Sequence, residues 1–173
     1  EGKEVIRKTL SSEPFSAYVF KTMFDQYKGQ TNIVKICSGS LSLGDEVFCP
    51  NTQETIKIAS MFFLSGNKQI TTTKVNAGDI VALAKMESVV TGYTLCDKNE
   101  PITYPKAKFP TAVYFKAFAP VNPKDEEKLY GSLVKMQVED PVLSVARNNE
   151  TKQLLVGGLS DSHLAYVSEK IKN

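Results

Sequence analysis

Ser38-Gly39-Ser40-Leu41-Ser42-Leu43-Gly44-Asp45, Ala77-Gly78-Asp79-Ile80-Val81-Ala82-Leu83 and Thr91-Gly92-Tyr93-Thr94-Leu95-Cys96-Asp97 follow one another between short β-like runs. Glycine supplies the unusual φ or close backbone approach that a barrel corner needs, and the following Asp stabilises a turn before an apolar strand resumes. Around these phrases, residues 15–20, 33–37, 46–49, 55–64 and 79–85 are rich in β-branched and aromatic side chains. Gly, Asn and Asp clusters break them at intervals near the roughly 8 to 12 residues typical of closed all-β folds. The pattern predicts a β-barrel. Segments such as Tyr18-Val19-Phe20 and Met61-Phe62-Phe63-Leu64 are apolar on both parities. Either another domain covers part of the outer face or these are scattered surface hydrophobics.

Within residues 98–110, Pro101, Pro105 and Pro110 interrupt any regular element, as proline-spaced polar segments at domain boundaries do. The expected organisation is a barrel over residues 1–100, a proline-rich linker over 101–110 and a second module over 111–173. Residues 113–118 read as a strand. Asn122-Pro123 then offers an N-cap and a proline at the first helical position, and Asp125, Glu126 and Glu127 suit the positive end of the helix dipole. Leu129, Leu133 and Met136 form the apolar stripe of that helix, which must end before Pro141. A strand over 142–147, a turn at Asn148-Asn149, a strand over 153–156 and a helix faced by Leu164, Val167 and Ile171 complete the module. The order β-α-β-β-α is that of a ferredoxin-like fold lacking its last strand. The fold class is therefore multi-domain, β plus α+β. The open edge near residues 112–118, apolar but for Lys116, is expected to support edge-strand self-association.

Of 173 residues 42% are hydrophobic, enough to bury a core, which argues against disorder. Lys and Arg number 21 against 19 Asp and Glu, a net charge of +2, so no overall field holds the chain on RNA or an anionic membrane. Cys37, Cys49 and Cys96 are odd in number and widely spaced, which fits neither a disulfide framework nor a zinc site and points to a reduced, cytoplasmic protein. The first residues, Glu1-Gly2-Lys3-Glu4-Val5-Ile6-Arg7-Lys8, resemble neither a signal nor a transit peptide, and no run approaches the ~18 apolar residues of a membrane span. The abrupt start is that expected of a piece excised from a longer protein.

Glu13-Pro14-Phe15-Ser16-Ala17, residues 25–29, the three barrel phrases, Glu139-Asp140-Pro141 and Gly158-Leu159-Ser160-Asp161-Ser162-His163-Leu164 together resemble domains II and III of bacterial elongation factor G, over residues 13–173. The last phrase resembles the family's Gly-Met/Leu-Gly-Glu-Leu-His-Leu, with Ser160, Asp161 and Ser162 where Gly, Glu and Leu are usual. Ala112 replaces a proline at the start of domain III, and Gln30 sits where Lys or Arg is common. These departures indicate a divergent, elongation factor G-like protein. The resemblance implies a translational-GTPase domain II β-barrel followed by a truncated domain III, serving ribosome binding and inter-domain coupling in GTP-driven movement of tRNA and messenger RNA. It also implies partners: small-subunit ribosomal RNA and protein, and the GTPase domain and domains IV and V of the same chain, with no membrane.

The chain contains no Gly-x-x-x-x-Gly-Lys-Ser/Thr phosphate loop, and nothing in it offers the run of backbone donors and the lysine that cradle nucleotide phosphates. Asn122-Pro123-Lys124-Asp125 superficially resembles the guanine-reading Asn-Lys-x-Asp, but an inserted proline puts it out of register and it serves as a helix start. No catalytic, nucleotide-binding or metal residue is expected in these modules; GTP and Mg belong to the absent GTPase domain. His163 is the only histidine, so no His dyad or His-rich metal site can form. By resemblance it lies near the junction with the GTPase domain, where fusidic acid binds in sensitive relatives. Phe109, Pro110, Asp140, Pro141, His163 and Leu164 are the candidate inter-domain junction.

Asp125, Glu126 and Glu127 are explained by the helix dipole, worth ~0.3 to 1 kcal/mol each, without catalysis. Tyr27, Lys28, Lys57 and Lys68 are the candidate ribosome or RNA contacts. Tyr27 beside Lys28 offers aromatic and cationic chemistry suited to RNA, while lone lysines are also ordinary barrel surface. Two other readings share these features: a ribosomal protection factor of the tetracycline-resistance type, with the same domain order, and an RNA-binding protein that has no GTPase domain.

Overall fold

The structure is a computed structural model that describes residues 4–25, 29–66, 68–148, 150–151 and 153–172. The chain divides into two compact units, Glu1–Ala107 and Lys108–Asn173.

The first unit is barrel-like. Its main sheet holds eight strands in the order β5-β4-β10-β1-β2-β9-β6-β7, and β3 pairs with β8 in a separate ladder. The strands are β1 (Ser16–Asp25), β2 (Gly29–Ser38), β3 (Ser40–Ser42), β4 (Glu46–Cys49), β5 (Glu54–Lys57), β6 (Met61–Ser65), β7 (Lys68–Thr71), β8 (Lys74–Asn76), β9 (Ile80–Ala84) and β10 (Thr94–Cys96). Val19, Val34, Ile36, Val81, Leu83 and Leu95 lie at the centre of the main core, each 1% exposed or less. The apolar run at residues 55–64 makes two strands instead of one, β5 ending at Lys57 and β6 starting at Met61. Ile58 N–H donates to Asp45 O (2.8 Å) and Ile58 O accepts from Gly44 N–H (2.9 Å), which carries the β4–β5 register one step further, into the Gly44-Asp45 turn.

That turn and the one at Gly78-Asp79 are one device used twice. Gly44 and Gly78 have φ of 92° and 102°, values a side chain makes costly. The next residue folds its carboxylate back: Asp45 Oδ2 accepts from Ser42 N–H at 2.7 Å, and Asp79 Oδ2 from Asn76 N–H at 2.8 Å. The third phrase works differently. Asp97 follows the strand, and its carboxylate accepts from Asn99 N–H (2.7 Å) to shape the turn after β10.

Ile33, Phe62, Ala82 and Ala84 form a second buried cluster, separate from the main core. Ile33 pairs with Ala82 and Ala82 with Phe62 across β2, β9 and β6. Two-sided apolarity in these strands thus builds a second patch on the outer face. Met23, Leu64 and Ile80, in the same three-strand neighbourhood or beside it, remain 39 to 52% exposed.

In the second unit, β11 (Tyr114–Phe118), α1 (Glu126–Glu139), β12 (Ser144–Arg147), β13 (Leu154–Gly158) and α2 (Asp161–Lys172) follow in that order, the β-α-β-β-α arrangement. The sheet order is β11-β13-β12, with both pairings antiparallel. Asn122 Oδ1 accepts from Lys124 N–H (3.1 Å), and Pro123–Asp125 form a 3₁₀ turn before α1. The core is Leu133 of α1, Leu143, Leu154 and Val156, and Leu164 and Val167 of α2, with Leu129, Met136 and Ile171 packed against it.

Candidate functional site

Pro141 stops α1, and the residue before it, Asp140, turns extended at φ −122° and ψ 98° while its N–H still bonds Met136 O at 2.9 Å. Its carboxylate then divides its work. Oδ1 accepts from Val142 N–H at 3.0 Å, an Asx turn. Oδ2 lies 2.9 Å from Nε2 of His163, at the other end of the second unit's sequence.

His163 reaches that position because Ser160 caps α2. Ser160 O accepts from Leu164 N–H (3.2 Å) and Ser160 Oγ from His163 N–H (3.2 Å), so the serine that departs from the family phrase acts as an ordinary N-cap. The imidazole Nδ1 accepts from Leu159 N–H at 3.2 Å. This fixes the tautomer: a ring nitrogen that accepts carries no hydrogen, so in the neutral ring the proton sits on Nε2 and is donated to Asp140. Both nitrogens are engaged, and neither is left to act as a base on a bound molecule. The clasp positions the 158–163 turn against the end of α1. Gly158 makes room for it, since a Cβ there would lie 2.8 Å from His163 Nδ1 and 2.9 Å from Leu164 Cδ2.

The pair is accessible at the surface, with the His163 side chain 17% and the Asp140 side chain 42% exposed. Asp161 departs from the family phrase as well, and it pairs with Lys116 of β11, whose hydrogen bond holds the Asp161 carboxyl below its usual range. Of the other junction candidates, Leu164 is a core residue, 1% exposed, while Phe109 (45%), Pro110 and Pro141 are exposed. The structure therefore joins Asp140 to His163 and to no other candidate.

Among the candidate RNA contacts, Tyr27 and Lys28 lie outside the described residues. Lys57 is exposed on β5, opposite Glu46, and Lys68 is exposed on β7, opposite Ser65. β5 and β7 are the two ends of the strand order, and no contact between the two lysines brings them into one site. Among the described residues no group of three or more His, Cys, Asp or Glu side chains is placed to hold a metal ion, and no helix is long and apolar enough to cross a membrane.

Two buried polar groups escape any reading of local pattern. Gln30 Nε2 donates to Met86 O (3.1 Å) and Val89 O (2.5 Å), and Asn32 Nδ2 donates to the same Met86 O (3.1 Å). Thr22 Oγ1 donates to Asn32 Oδ1 at 2.8 Å and accepts from Thr91 Oγ1 at 3.2 Å. The network pins residues 86–91 against β1 and β2. Gln30, the departure from a family cation, is thus a buried amide donor. Near the chain's start, the Arg7 side chain is also buried; both it and Gln30 act across long sequence separations, which carry no periodic signal.

Comparison with known proteins covers both units. The family model described as elongation factor G domain 2 matches residues 14–98, and that of elongation factor G, domain III, matches residues 109–173. Elongation factor G 2 of Desulfotalea psychrophila is 35% identical over 173 residues, 100% of this chain and 25% of its own length. Elongation factor G of Thermotoga maritima is 36% identical over 172 residues (99% and 25%), and that of Salinibacter ruber 32% over 170 residues (98% and 24%). A crystal structure from Thermus thermophilus superposes with a TM-score of 0.82 at 27% identity, covering 92% of this chain and 24% of that one. The chain spans about a quarter of the length of the curated relatives it matches.

Proposed function

Because the chain belongs to the elongation factor G family, of which it carries domains II and III, we propose that it supplies the ribosome-binding and inter-domain coupling modules of a GTPase that drives translocation of tRNA and messenger RNA. The observation that carries this reading is the match of both family models, in order along one chain, at residues 14–98 and 109–173.

The division of labour follows from the chemistry present. These two domains offer no phosphate loop, so nucleotide and Mg²⁺ do not fit the residues here and are held elsewhere in the whole protein. In this reading the chain contributes a barrel whose exposed lysines, Lys57 and Lys68 among them, meet ribosomal RNA phosphates as separate contacts, and a second domain whose Asp140–His163 clasp shapes a surface turn that faces the GTPase domain. Both ring nitrogens being engaged supports a contact role for His163 over a catalytic one. The whole protein works in the cytoplasm, where ribosomes are.

Grafting residues 13–173 in place of the matched quarter of Thermotoga maritima elongation factor G tests this. The chimera is expected to support ribosome-dependent GTP hydrolysis and translocation, and His163→Ala within it to reduce translocation more than GTP hydrolysis. A folded chimera that hydrolyses GTP on ribosomes yet never translocates would refute the coupling role.

A further inference from the structure

We propose that Arg7 is a latch that makes the segment leading into the barrel and the segment leading out of it move as one. The guanidinium side chain is only 7% exposed. Nη1 donates to Pro14 O and Phe15 O, both at 3.3 Å, and Nη2 donates to Glu100 O at 2.5 Å. One planar fork thus bridges backbone carbonyls that lie 85 or more residues apart in sequence, counting from Phe15 to Glu100. The Glu100 carboxylate stands farther off, at 3.6 Å, on a side chain 64% exposed. The buried charge is therefore satisfied chiefly by carbonyl dipoles, which only a group with several donors in fixed geometry can do from one position.

Each segment is tied to the barrel elsewhere by neutral bonds. The incoming one is held where Leu10 O accepts from Gly39 N–H (2.9 Å). The outgoing one is held by Asp97 N–H to Phe15 O (2.9 Å), Tyr104 N–H to Thr94 Oγ1 (2.9 Å), Tyr104 Oη to Ser16 Oγ (2.9 Å) and Ala107 N–H to Tyr18 Oη (3.2 Å). Asp97 N–H to Phe15 O already joins the two segments where they meet the barrel, and Arg7 is the charged cross-tie that carries the connection on to Glu100. A pull on the chain before residue 7 must displace Glu100 or break the fork, so displacement reaches the stretch that runs on to the second domain.

Hydrogen exchange on the whole chain tests the latch. Arg7→Ala is expected to speed exchange about tenfold in residues 97–104 and in 8–15 together, as loss of charge-assisted hydrogen bonds implies. Core amides of β2 and β9 should keep their protection. Arg7→Lys, a point charge unable to span both segments, should also lose it, and Glu100→Ala, which keeps the carbonyl, should not. Unchanged exchange at 97–104 in Arg7→Ala, equal acceleration throughout the barrel, full protection in Arg7→Lys, or a Glu100→Ala effect equal to that of Arg7→Ala would each overturn the proposal.

Discussion

Asp140 and His163 meet at 2.9 Å, Oδ2 to Nε2, each with its remaining polar atom committed to a backbone N–H of its own turn. The C-terminal end of α1 and the N-terminal end of α2 are thereby joined by a hydrogen bond between side chains 23 residues apart, while the Glu139–Lys170 pair links the end of α1 to the last turn of α2. Because Oδ1 accepts from Val142 N–H and Oδ2 accepts from the imidazole, the carboxylate is used as a double acceptor. Asp140→Asn cannot reproduce this: its amide turns a donor either to Val142 N–H or to Nε2–H. A loss of about 1 to 2 kcal/mol is expected for Asp140→Asn and a similar one for His163→Ala. In the double variant the two losses should fall short of their sum by roughly 0.5 kcal/mol or more. Strict additivity in urea unfolding would mean that the contact contributes nothing.

Gln30 is expected to matter as a donor. Gln30→Ala strips Val89 O of the amide bond and leaves Met86 O with Asn32 Nδ2 and Val89 N–H, for a cost of about 1 to 3 kcal/mol. Gln30→Glu at neutral pH should cost more, since it sets a buried carboxylate, an acceptor, against two carbonyls. Equal midpoints for the two variants in denaturant would show that lost packing, not lost donors, sets the penalty.

Alkaline pH should weaken the barrel domain in two stages. Burial pushes the Cys96 thiol up, against a backbone hydrogen bond at Ile102 that opposes the shift. Burial likewise raises Tyr104, with its bond to Ser16 opposing. In the unfolded chain these groups lose protons near ~8.5 and ~10, while the folded domain holds them to higher pH. The native state then binds more protons, so stability is intact below the unfolded values and falls as pH rises through the interval up to the folded ones. Thermal or urea midpoints followed by circular dichroism should fall above about pH 8.5, less so in Cys96→Ala, and again above about pH 10, less so in Tyr104→Phe. Identical pH slopes in wild type and Cys96→Ala would exclude the thiol.

What was legible in the sequence was local. The Gly44-Asp45 and Gly78-Asp79 turns, the Asn122-Pro123 helix start and the Leu129, Leu133, Met136 stripe depend on residues within one or two turns of each other, and such spacings can be read directly. Ser160 shows the limit of reading a motif by likeness: as a departure from the family phrase it suggests decay, whereas it caps α2. The short β3–β8 ladder was missed because three-residue strands carry no period. Arg7, Gln30 and Tyr104 were missed because their partners lie at separations of 93, 56 and 88 residues, where only the folded chain brings donor and acceptor together.

β11 is the edge at which association is expected. In the order β11-β13-β12 it pairs on one side only among the described residues, and Tyr114, Phe115, Lys116 and Ala117 are exposed along it. Unpaired N–H and C=O groups on such a strand are satisfied by water or by another extended segment. Two adjoining grooves, about 310 Å³ and 520 Å³, share Phe118 and Ala119 of this edge and Ser168 of α2, giving an added strand's side chains somewhere to lie. A second copy is a suitable strand: antiparallel pairing about Lys116 sets Tyr114 opposite Phe118 and Phe115 opposite Ala117, both favourable cross-strand pairs. Against it stands Lys116, which would face its own copy, although Asp161 already neutralises each lysine. The gain is therefore small, and association is expected only at roughly millimolar concentration, about 4 kcal/mol. Sedimentation over a concentration series should show a dimer for the wild type and a monomer for Ala117→Lys, which adds a second charge to the strand. A wild-type chain that stays monomeric at millimolar concentration, or a variant that dimerises equally well, would place the free edge out of reach of a second copy.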